Sequence, residues 1–336
     1  MTVPESYLPE IEAELEHTVT LQTGQPPLLL GMIRYHMGWV DAHFQPAPSD
    51  GGKRVRPTLL LLASESVGGD WRQALPAAAG VELLHNFTLI HDDIEDRDTL
   101  RRGRPTLWSI WGIPQAINAG DALFAISYRA LLGLAERDVE PGIVVTAAQR
   151  YTEAVVAITE GQCMDLAFEE LPRVDEGTYL RMVEGKTARL LGLAAELGGI
   201  IAGAPEAATR ALRRYGEALG MTFQMLDDIL GLWGNPQETG KPVGADLQKR
   251  KKTLPILHGM ARSAALCEVL AQPELGTADL HAALDELERT GSRTHTETRA
   301  AEYHRVALEA LAQSGASGAA RDALAGLATR LLTRQR

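Results

Sequence analysis

The chain has 336 residues, 45% of them hydrophobic and only 5% aromatic, and its formal charge is −11 at pH 7. That charge disfavours a nucleic-acid partner, and no apolar run reaches the roughly 18 residues of a membrane span. The two cysteines, Cys163 and Cys267, lie far apart without metal-ligand spacing, which suits a reducing cytoplasm.

Neither a targeting segment nor a domain boundary is visible in the residue pattern. Residues 1–6 lack the basic and apolar parts of a signal peptide, so we expect none. No linker rich in Pro, Gly or Ser divides the chain, and the alternation typical of strands never persists. We therefore expect one all-α domain over residues 1–336.

Helical periodicity predicts the elements of the first half. We expect helices over residues 5–20, 28–44, 55–67, 71–96 and 114–134, separated by clusters of Gly, Pro and Asp. The basic segment Gly51-Gly-Lys-Arg-Val-Arg-Pro57 leads into the third helix. Glycine backbone can approach a phosphate there, and Lys53 and Arg56 can reach it from the next turn. An ordinary charged surface is the alternative.

The fourth helix ends in Leu89-Ile-His-Asp-Asp-Ile-Glu-Asp-Arg-Asp98. Asp92 and Asp96 share one helical face, and Asp93 lies beside them. Such carboxylates repel one another unless a cation lies between them, and Mg²⁺ prefers oxygen ligands. The pattern predicts a metal site, with a solvated acidic face as the alternative. His85, two turns earlier on nearly the same face, is either a diphosphate contact or an ordinary surface or core histidine.

The second half begins with predicted helices over 141–168 and 176–201. Gln162 and Asp165 share a helical face, where they could face a developing cation or satisfy each other. Thr187 follows Lys186 directly, and its hydroxyl could serve a diphosphate or a backbone carbonyl. Later helices, among them 299–313 and 317–333, carry no identifiable chemistry, and we expect them to provide packing.

A third long helix, over 206–233, repeats the acidic pattern. Asp227 and Asp228 stand beside its apolar stripe, and Gln224 lies one turn earlier on the same side. Gly231 occupies the position that matches Asp96, so this stretch offers one carboxylate fewer. We expect the acidic ends of the two helices to face one cavity and to hold several metal ions.

Short basic stretches accompany the acidic helices along the chain: Arg101-Arg-Gly-Arg104, Glu184-Gly-Lys186, Thr239-Gly-Lys241 and Lys249-Arg-Lys-Lys252. Arginine binds phosphate through two parallel hydrogen bonds, and lysine binds it as a point charge. Any one stretch alone is more typical of a solvated surface. Together they predict a cavity for a polyanion that metal ions bridge to the protein.

These motifs, in this order, resemble those of the trans-isoprenyl diphosphate synthases, the polyprenyl synthetase family. The matching segments are Gly51–Pro57, Asp92–Asp96, Arg101–Gly103, Ala119–Asp121, Gly161–Asp165, Lys186–Ala188, Phe223–Asp228, Gly240–Lys241, Asp246–Leu247 and Lys251–Pro255. Three residues depart from the family pattern. Trp108 stands where His is common, Gly231 replaces the third Asp of the second motif, and Arg250 replaces a usual Gly.

The resemblance implies an all-α orthogonal bundle of about 10–13 helices around a central cavity, usually paired as a homodimer. It implies a reaction that condenses isopentenyl diphosphate head-to-tail with allylic diphosphates, with Mg²⁺ as the cofactor and Mn²⁺ as a substitute. The implied metal ligands are Asp92, Asp93, Asp96, Asp227 and Asp228. The implied contacts of the allylic diphosphate are Arg101, Lys186, Thr187, Gln224 and Lys241. Those of isopentenyl diphosphate are Lys53, Arg56, His85 and Arg102, and Lys251 closes the site from a loop.

Product length depends on the residues that precede the first acidic motif. Phe87 lies five residues before Asp92, about 7.5 Å along the helix axis, and its neighbour Thr88 is small. The resemblance associates a single aromatic residue here with farnesyl or geranylgeranyl diphosphate, and we expect the longer, twenty-carbon product. Helical projection also places Phe87 within the apolar stripe, so a plain core phenylalanine is the alternative.

Two other functions stay open. A class I terpene cyclase ionises the same diphosphate, but it would have no use for the Gly51–Pro57 segment or for His85. A regulatory subunit of a heteromeric prenyl synthase would be expected to lose acidic ligands, and only the position of Gly231 has lost one.

Overall fold

The computed structural model describes residues 7–20, 27–47, 49, 51–235, 242–272 and 274–333. Apart from one short hairpin, the regular structure of these residues is helical, which confirms the all-α prediction. The chain forms two compact units, Met1–Arg150 with Glu196–Thr209 and Tyr151–Ala195 with Arg210–Arg336. The prediction of a single domain over 1–336 stays a prediction.

The first unit contains α1 (Tyr7–Thr20), α2 (Pro27–His36), α3 (Val55–Ser66), α4 (Leu75–Glu95), the hairpin β1 (Leu100–Arg101) and β2 (Arg104–Pro105), α5 (Leu107–Trp111) and α6 (Ile113–Leu132). A 3₁₀ turn (Gly133–Glu136) and the start of α7 (Pro141–Glu170) follow. The end of α9 (Arg189–Ile201) and the start of α10 (Glu206–Trp233) also belong to this unit.

Close packing between α4 and α6 holds the acidic end of α4. A Cβ atom at Gly80 would lie 2.9 Å from the carbonyl oxygen of Ser127, so the bare glycine permits this approach. Leu84 on α4 and Leu123 on α6 are almost fully buried. Buried leucines of this kind contribute about 1.5–3 kcal/mol each. The helix that carries Asp92 is therefore firmly supported.

The second predicted helix is shorter than expected, because α2 ends at His36 rather than at residue 44. Gly38 takes a φ of +87°, which leaves the helical path. The Asp41 carboxylate then accepts the N–H groups of His43 and Gln45, both at 2.9 Å. A short polar side chain that bonds its own backbone in this way favours a turn over a helix.

The second unit contains most of α7, α8 (Glu176–Val183), a π-helical turn (Glu184–Ala188), most of α9 and α10, and then α11 (Ala245–Gln248), α12 (Leu254–Met260), α13 (Ala264–Leu270), α14 (Thr277–Arg289), α15 (Ser292–Gln313) and α16 (Gly318–Thr333). The predicted helix over 176–201 is thus interrupted by the π turn, and the helix expected from residue 299 begins at Ser292. In the described part of the chain, no helix is long and apolar enough to cross a membrane.

Candidate functional site

The acidic end of α4 presents three carboxylates in two different environments. Asp93 is 3% exposed, whereas Asp92 and Asp96 are partly exposed. Arg101 lies across the first pair: its Nε donates to Asp93 Oδ1 at 2.6 Å, and its Nη2 is 3.4 Å from Asp92 Oδ2. Burial raises the pKa of Asp93 to about 6, although Arg101 opposes that rise. Asp93 is therefore committed to Arg101, while Asp92 and Asp96 keep partial exposure.

A cluster of basic side chains, called here the cationic cluster, surrounds His85 on α4: His36, Arg56, Arg101 and Arg102. Burial and these positive neighbours lower the pKa of His85 well below its usual value. Burial, Arg101 and Arg102 likewise lower the pKa of His36 to about 3. Groups that disfavour one another's positive charge are stabilised by a bound anion. The cationic cluster therefore has the electrostatic character of a phosphate site.

The loop before α3 divides its basic residues between two roles. Arg54 is buried, and its guanidinium pairs with Glu12 at 2.6 Å and with Glu82 at 2.9 Å. Lys53 is exposed, and Arg56 is partly exposed. Among the described residues, the Nε atom of Arg56 has no hydrogen-bond partner. Arg54 thus fixes the loop, and Lys53 and Arg56 remain to contact a ligand.

The β1–β2 hairpin brings Arg102 to this loop. Arg102 and Gly103 form its turn with φ values of +52° and +73°, as a type I′ turn requires. Arg102 Nη1 donates to the carbonyl oxygen of Gly51. A Cβ atom at Gly52 would lie 2.7 Å from Arg102 Nη2, so only glycine leaves room for the guanidinium. At the hairpin base, the indole of Trp108 donates to the Asp98 carbonyl at 2.8 Å, which gives this unusual residue a structural role.

In the second unit, the two aspartates of α10 differ sharply in their surroundings. Asp227 is exposed, and Asp228 is 2% exposed. The Asp228 carboxylate accepts the hydroxyl of Tyr179, Nε2 of Gln224 at 3.0 Å and the N–H of Leu254 at 3.0 Å. Burial raises the pKa of Asp228 to about 7, although these hydrogen bonds act against the rise. Asp227 is the better placed of the two for a ligand.

The π turn presents Lys186 and Thr187. Its backbone lies against α7, because a Cβ atom at Gly161 would be 2.2 Å from the Lys186 nitrogen. Lys186 Nζ is 2.5 Å from Asp165 Oδ2, and the Thr187 hydroxyl donates to Gln224 Oε1 at 3.0 Å. Asp165 therefore pairs with a lysine on a neighbouring turn, an arrangement that the two alternatives for Gln162 and Asp165 did not include.

Gly231 does not leave a gap. A Cβ atom there would lie 2.0 Å from Asp246 Oδ2, so the carboxylate of Asp246 on α11 fills the space of the missing side chain. The sequence of α10 does contain one carboxylate fewer, as expected, but Asp246 supplies a carboxylate at this place in the structure. Sequence spacing could not reveal the replacement, because Asp246 comes fifteen residues later, after a loop.

Arg250 also replaces a family residue in a way that the structure explains. Its φ is +54°, a conformation that glycine adopts without strain. The side chain uses this position to donate from Nη1 to the Leu270 carbonyl at 2.8 Å and from Nη2 to that of Gln272. Arg250 thus ties the loop that carries Lys251 to the end of α13.

Residues 38–287 match the family described as Polyprenyl synthetase. The chain belongs to the polyprenyl synthetase family. This membership confirms the predicted family and the predicted class of enzyme, a trans-prenyltransferase.

Similar proteins within the family cover most of the chain. The (2E,6E)-farnesyl diphosphate synthase of Mycobacterium tuberculosis is 42% identical over 245 residues, 73% of this chain and 67% of the relative. The geranylgeranyl diphosphate synthase of the same organism is 45% identical over 244 residues, 72% and 69% of the two chains. A polyprenyl synthetase from Streptomyces coelicolor A3(2) is similar in structure, with a TM-score of 0.90, 35% identity and 98% of each chain covered.

The positions of four other predicted site residues of this polyprenyl synthetase remain to be described. Lys241 lies outside the described residues. Lys251 is exposed on the loop before α12, where its N–H donates to the Asp246 carbonyl at 2.9 Å. Phe87 is partly buried, with its ring centre 5.0 Å from that of Phe124 on α6. Thr88 donates its hydroxyl to the carbonyl oxygen of His85 at 2.8 Å.

Three side chains at these sites had no predicted role: His36, Tyr179 and Asp246. Asp246 belonged to a recognised segment, so a signal for it existed in the sequence. His36 and Tyr179 lie in helices without any recognised motif, and only tertiary packing brings them to the acidic helices.

The carboxylates suit a magnesium ion by their chemistry. Within the described ranges, no three His, Cys, Asp or Glu side chains are grouped to hold a metal. Mg²⁺ commonly uses only one or two carboxylates and completes its shell with water and phosphate oxygens. Asp92, Asp96 and Asp227 are hard oxygen donors with at least partial exposure. Each of them, taken in its own unit, therefore fits this mode of binding, in which the substrate supplies the remaining ligands.

Proposed function

We propose that this polyprenyl synthetase condenses isopentenyl diphosphate with allylic diphosphates and makes all-trans geranylgeranyl diphosphate. The observation that carries the proposal is the cationic cluster beside the acidic end of α4, where His85, Arg56 and Arg102 lie together. A diphosphate would relieve the repulsion within this cluster. The relatives at 42% and 45% identity, whose names give farnesyl and geranylgeranyl diphosphate as products, support the same chemistry.

The reaction begins when the C–O bond of the allylic diphosphate breaks and its electron pair leaves with the diphosphate. The double bond of isopentenyl diphosphate then attacks the allylic carbon, and a C–C bond forms. A proton leaves the neighbouring carbon for the released diphosphate, so no side chain has to act as the base. Basic side chains aimed at the departing charge stabilise it more in the transition state than in the substrate.

Asp92, Asp96 and Asp227 would hold Mg²⁺, with Asp93 and Asp228 in support. When bound, the metal would neutralise the diphosphate and make it a better leaving group. Asp93 and Asp228 would mainly hold neighbouring groups in place, because Asp93 accepts a hydrogen bond from Arg101 and Asp228 accepts hydrogen bonds from three donors.

The two substrates would use different basic groups. Arg101, Lys186, Thr187, Gln224 and Lys241 would hold the allylic diphosphate, and Lys53, Arg56, His85 and Arg102 would hold isopentenyl diphosphate. Burial and the neighbouring arginines lower the pKa of His85 well below its usual value, and His85 would contact the diphosphate as a hydrogen-bond donor. Lys251 would close the site from its loop.

Phe87 would stop the growing chain. It is only partly buried, which favours a wall that meets the product over a plain core residue. Thr88 is small, but Phe124 of α6 supports the ring of Phe87 from the side. A single aromatic wall of this kind suits the twenty-carbon product, with farnesyl diphosphate as the next candidate.

We also propose a cytoplasmic homodimer. Ile113, Ile117 and Leu132 on α6 are 47%, 41% and 51% exposed and lie along one side of the helix. Exposed apolar rows of this kind commonly mark protein interfaces. Both cysteines are free thiols, which suits a reducing compartment.

The substrate assignment can be tested by steady-state kinetics of His85→Gln and Arg56→Gln. Both variants should raise KM for isopentenyl diphosphate by roughly tenfold or more, the effect of losing one charged or buried contact, and change KM for geranyl diphosphate little. Lys186→Gln should raise KM for geranyl diphosphate and change KM for isopentenyl diphosphate little. Equal effects on both substrates would contradict the division. No observation favours the terpene cyclase or the regulatory subunit over this function.

A further inference from the structure

A continuous chain of hydrogen bonds crosses the second unit behind Asp227. The Thr187 hydroxyl donates to Gln224 Oε1 at 3.0 Å, and Gln224 Nε2 donates to Asp228 Oδ1 at 3.0 Å. The other oxygen of Asp228 accepts the hydroxyl of Tyr179 and the N–H of Leu254. The Gln224–Asp228 bond lies within α10, and the other three bonds connect α10 to the π turn, to α8 and to the first residue of α12.

These links fix the segments that would carry the ligand contacts. Thr187 directly follows Lys186 in the π turn, and Leu254 is three residues after Lys251. Asp227 is the neighbour of Asp228 on α10. The Asp228 carboxylate thus sets the position of one turn and one loop relative to the exposed aspartate beside it.

Tyr179 is the member that holds the carboxylate from the far side. It is 2% exposed and packs in a cluster with Phe168, Met182 and Met225. Its ring is therefore closely packed, and its hydroxyl is directed at Asp228. A buried carboxylate that loses one hydrogen-bond donor can rotate more easily. Its remaining hydrogen bonds would then be less well aligned.

We propose that Tyr179 is a positioning residue of the synthetase. Its hydroxyl orients Asp228, and through Asp228 it holds the Lys251 loop and the Lys186 turn in place beside Asp227. The inference deepens the proposed function, on which its kinetic consequence rests, but its structural consequence is independent of substrate and metal.

The test compares Tyr179→Phe with Tyr215→Phe. Tyr215 is a matched control, because it is also buried and its hydroxyl also makes one hydrogen bond, to the Leu324 carbonyl at 2.7 Å. Hydrogen exchange is measured on both variants without substrate or Mg²⁺. In Tyr179→Phe the amides of residues 249–254, 256 and 257 should exchange about fivefold faster, the factor that one hydrogen bond supplies. In Tyr215→Phe the same amides should be unchanged.

The kinetic arm measures KM for geranyl diphosphate and the Mg²⁺ concentration at half-maximal rate. Tyr179→Phe should raise both several-fold, and Tyr215→Phe should raise neither, even where the two variants lose similar thermal stability. Equal exchange at residues 249–254, 256 and 257 in the two variants would overturn the proposal. If the wild type makes no prenyl product, the proposed function fails, while the exchange difference still decides the role of Tyr179.

The wild-type protein provides a further check if Tyr179→Phe does not fold. The Leu254 amide should exchange as slowly as that of Leu257, whose N–H is bonded within the helix to Thr253 at 3.0 Å. A Leu254 amide that exchanges at the rate of an open loop would overturn the proposal.

Discussion

Substitution of Gly231 tests whether Asp246 fills the place of the missing carboxylate. In an ordinary helix, Gly→Ala is stabilising by about 0.5–1 kcal/mol. At Gly231 the new Cβ would lie 2.0 Å from Asp246 Oδ2, more than an ångström inside normal contact. Overpacking of this kind costs typically about 1–3 kcal/mol. Since the steric cost exceeds the gain in helix propensity, Gly231→Ala should lower the free energy of unfolding by about 1–2 kcal/mol.

Urea unfolding of Gly231→Ala and Gly326→Ala measures this difference. Gly326 is the control, because it also lies in a helix and its added Cβ would be 3.4 Å from the mobile tip of Arg330. Gly326→Ala should be as stable as the wild type or more so. In the double variant with Asp246→Ala, the Gly231→Ala penalty should disappear, as a double-mutant cycle would report. A Gly231→Ala protein as stable as the wild type would refute the reasoning.

The same geometry limits what a restored aspartate can do. Gly231→Asp should change the half-saturating Mg²⁺ concentration less than about tenfold, because Mg²⁺ needs only one or two carboxylates and Asp246 already supplies one at this place. A larger shift in the metal requirement would show that the carboxylate of Asp246 does not substitute for the missing one.

Three further outcomes can be measured. Asp92→Ala should lower turnover by orders of magnitude while the unfolding midpoint stays unchanged, because the buried face of α4 is untouched; near-normal turnover with Mg²⁺ would exclude the ligand role. Phe87→Ala should lengthen the product by one or more five-carbon units in mass spectra and cost less than the roughly 3–5 kcal/mol of a fully buried phenylalanine; an unchanged product length would make Phe87 a core residue. Burial and His295 lower the pKa of His258 to about 4, below the unfolded value near 6.5, so stability should fall as pH falls from about 6.5 to about 4. His258→Gln should flatten that dependence in urea unfolding; a slope as steep as that of the wild type would contradict the assignment.

The sequence predicted the helical fold and the family because both depend on local or ordered patterns. Periodic apolar residues revealed α4 and α10, and the acidic and basic motifs appeared in family order. Helix ends were less predictable. The end of α2 at His36 depends on the turn that Asp41 stabilises, and the π turn depends on backbone packing against Gly161. Neither interaction leaves a periodic signal.

The candidate site was predictable in its residue types but not in its partners. In the sequence, nothing distinguishes Asp93 from Asp92 or Asp228 from Asp227. In the structure, Asp93 and Asp228 are buried, and each accepts hydrogen bonds from protein donors. The sequence also does not distinguish Arg54 from Arg56, but in the structure Arg54 is buried in ion pairs with Glu12 and Glu82. Which member of an adjacent pair faces the ligand depends on packing against distant helices, and one sequence does not contain that information.

Condensation itself is tested most directly by incubating the wild-type protein with Mg²⁺, unlabelled geranyl diphosphate and isopentenyl diphosphate carrying a single ¹³C label. Mass spectrometry then identifies the products and the number of labels in each. We predict an all-trans twenty-carbon diphosphate that carries two labels, formed through a fifteen-carbon diphosphate that carries one. An unlabelled cyclic hydrocarbon, or complete recovery of both substrates, would contradict the assignment of this chain as a prenyl diphosphate synthase.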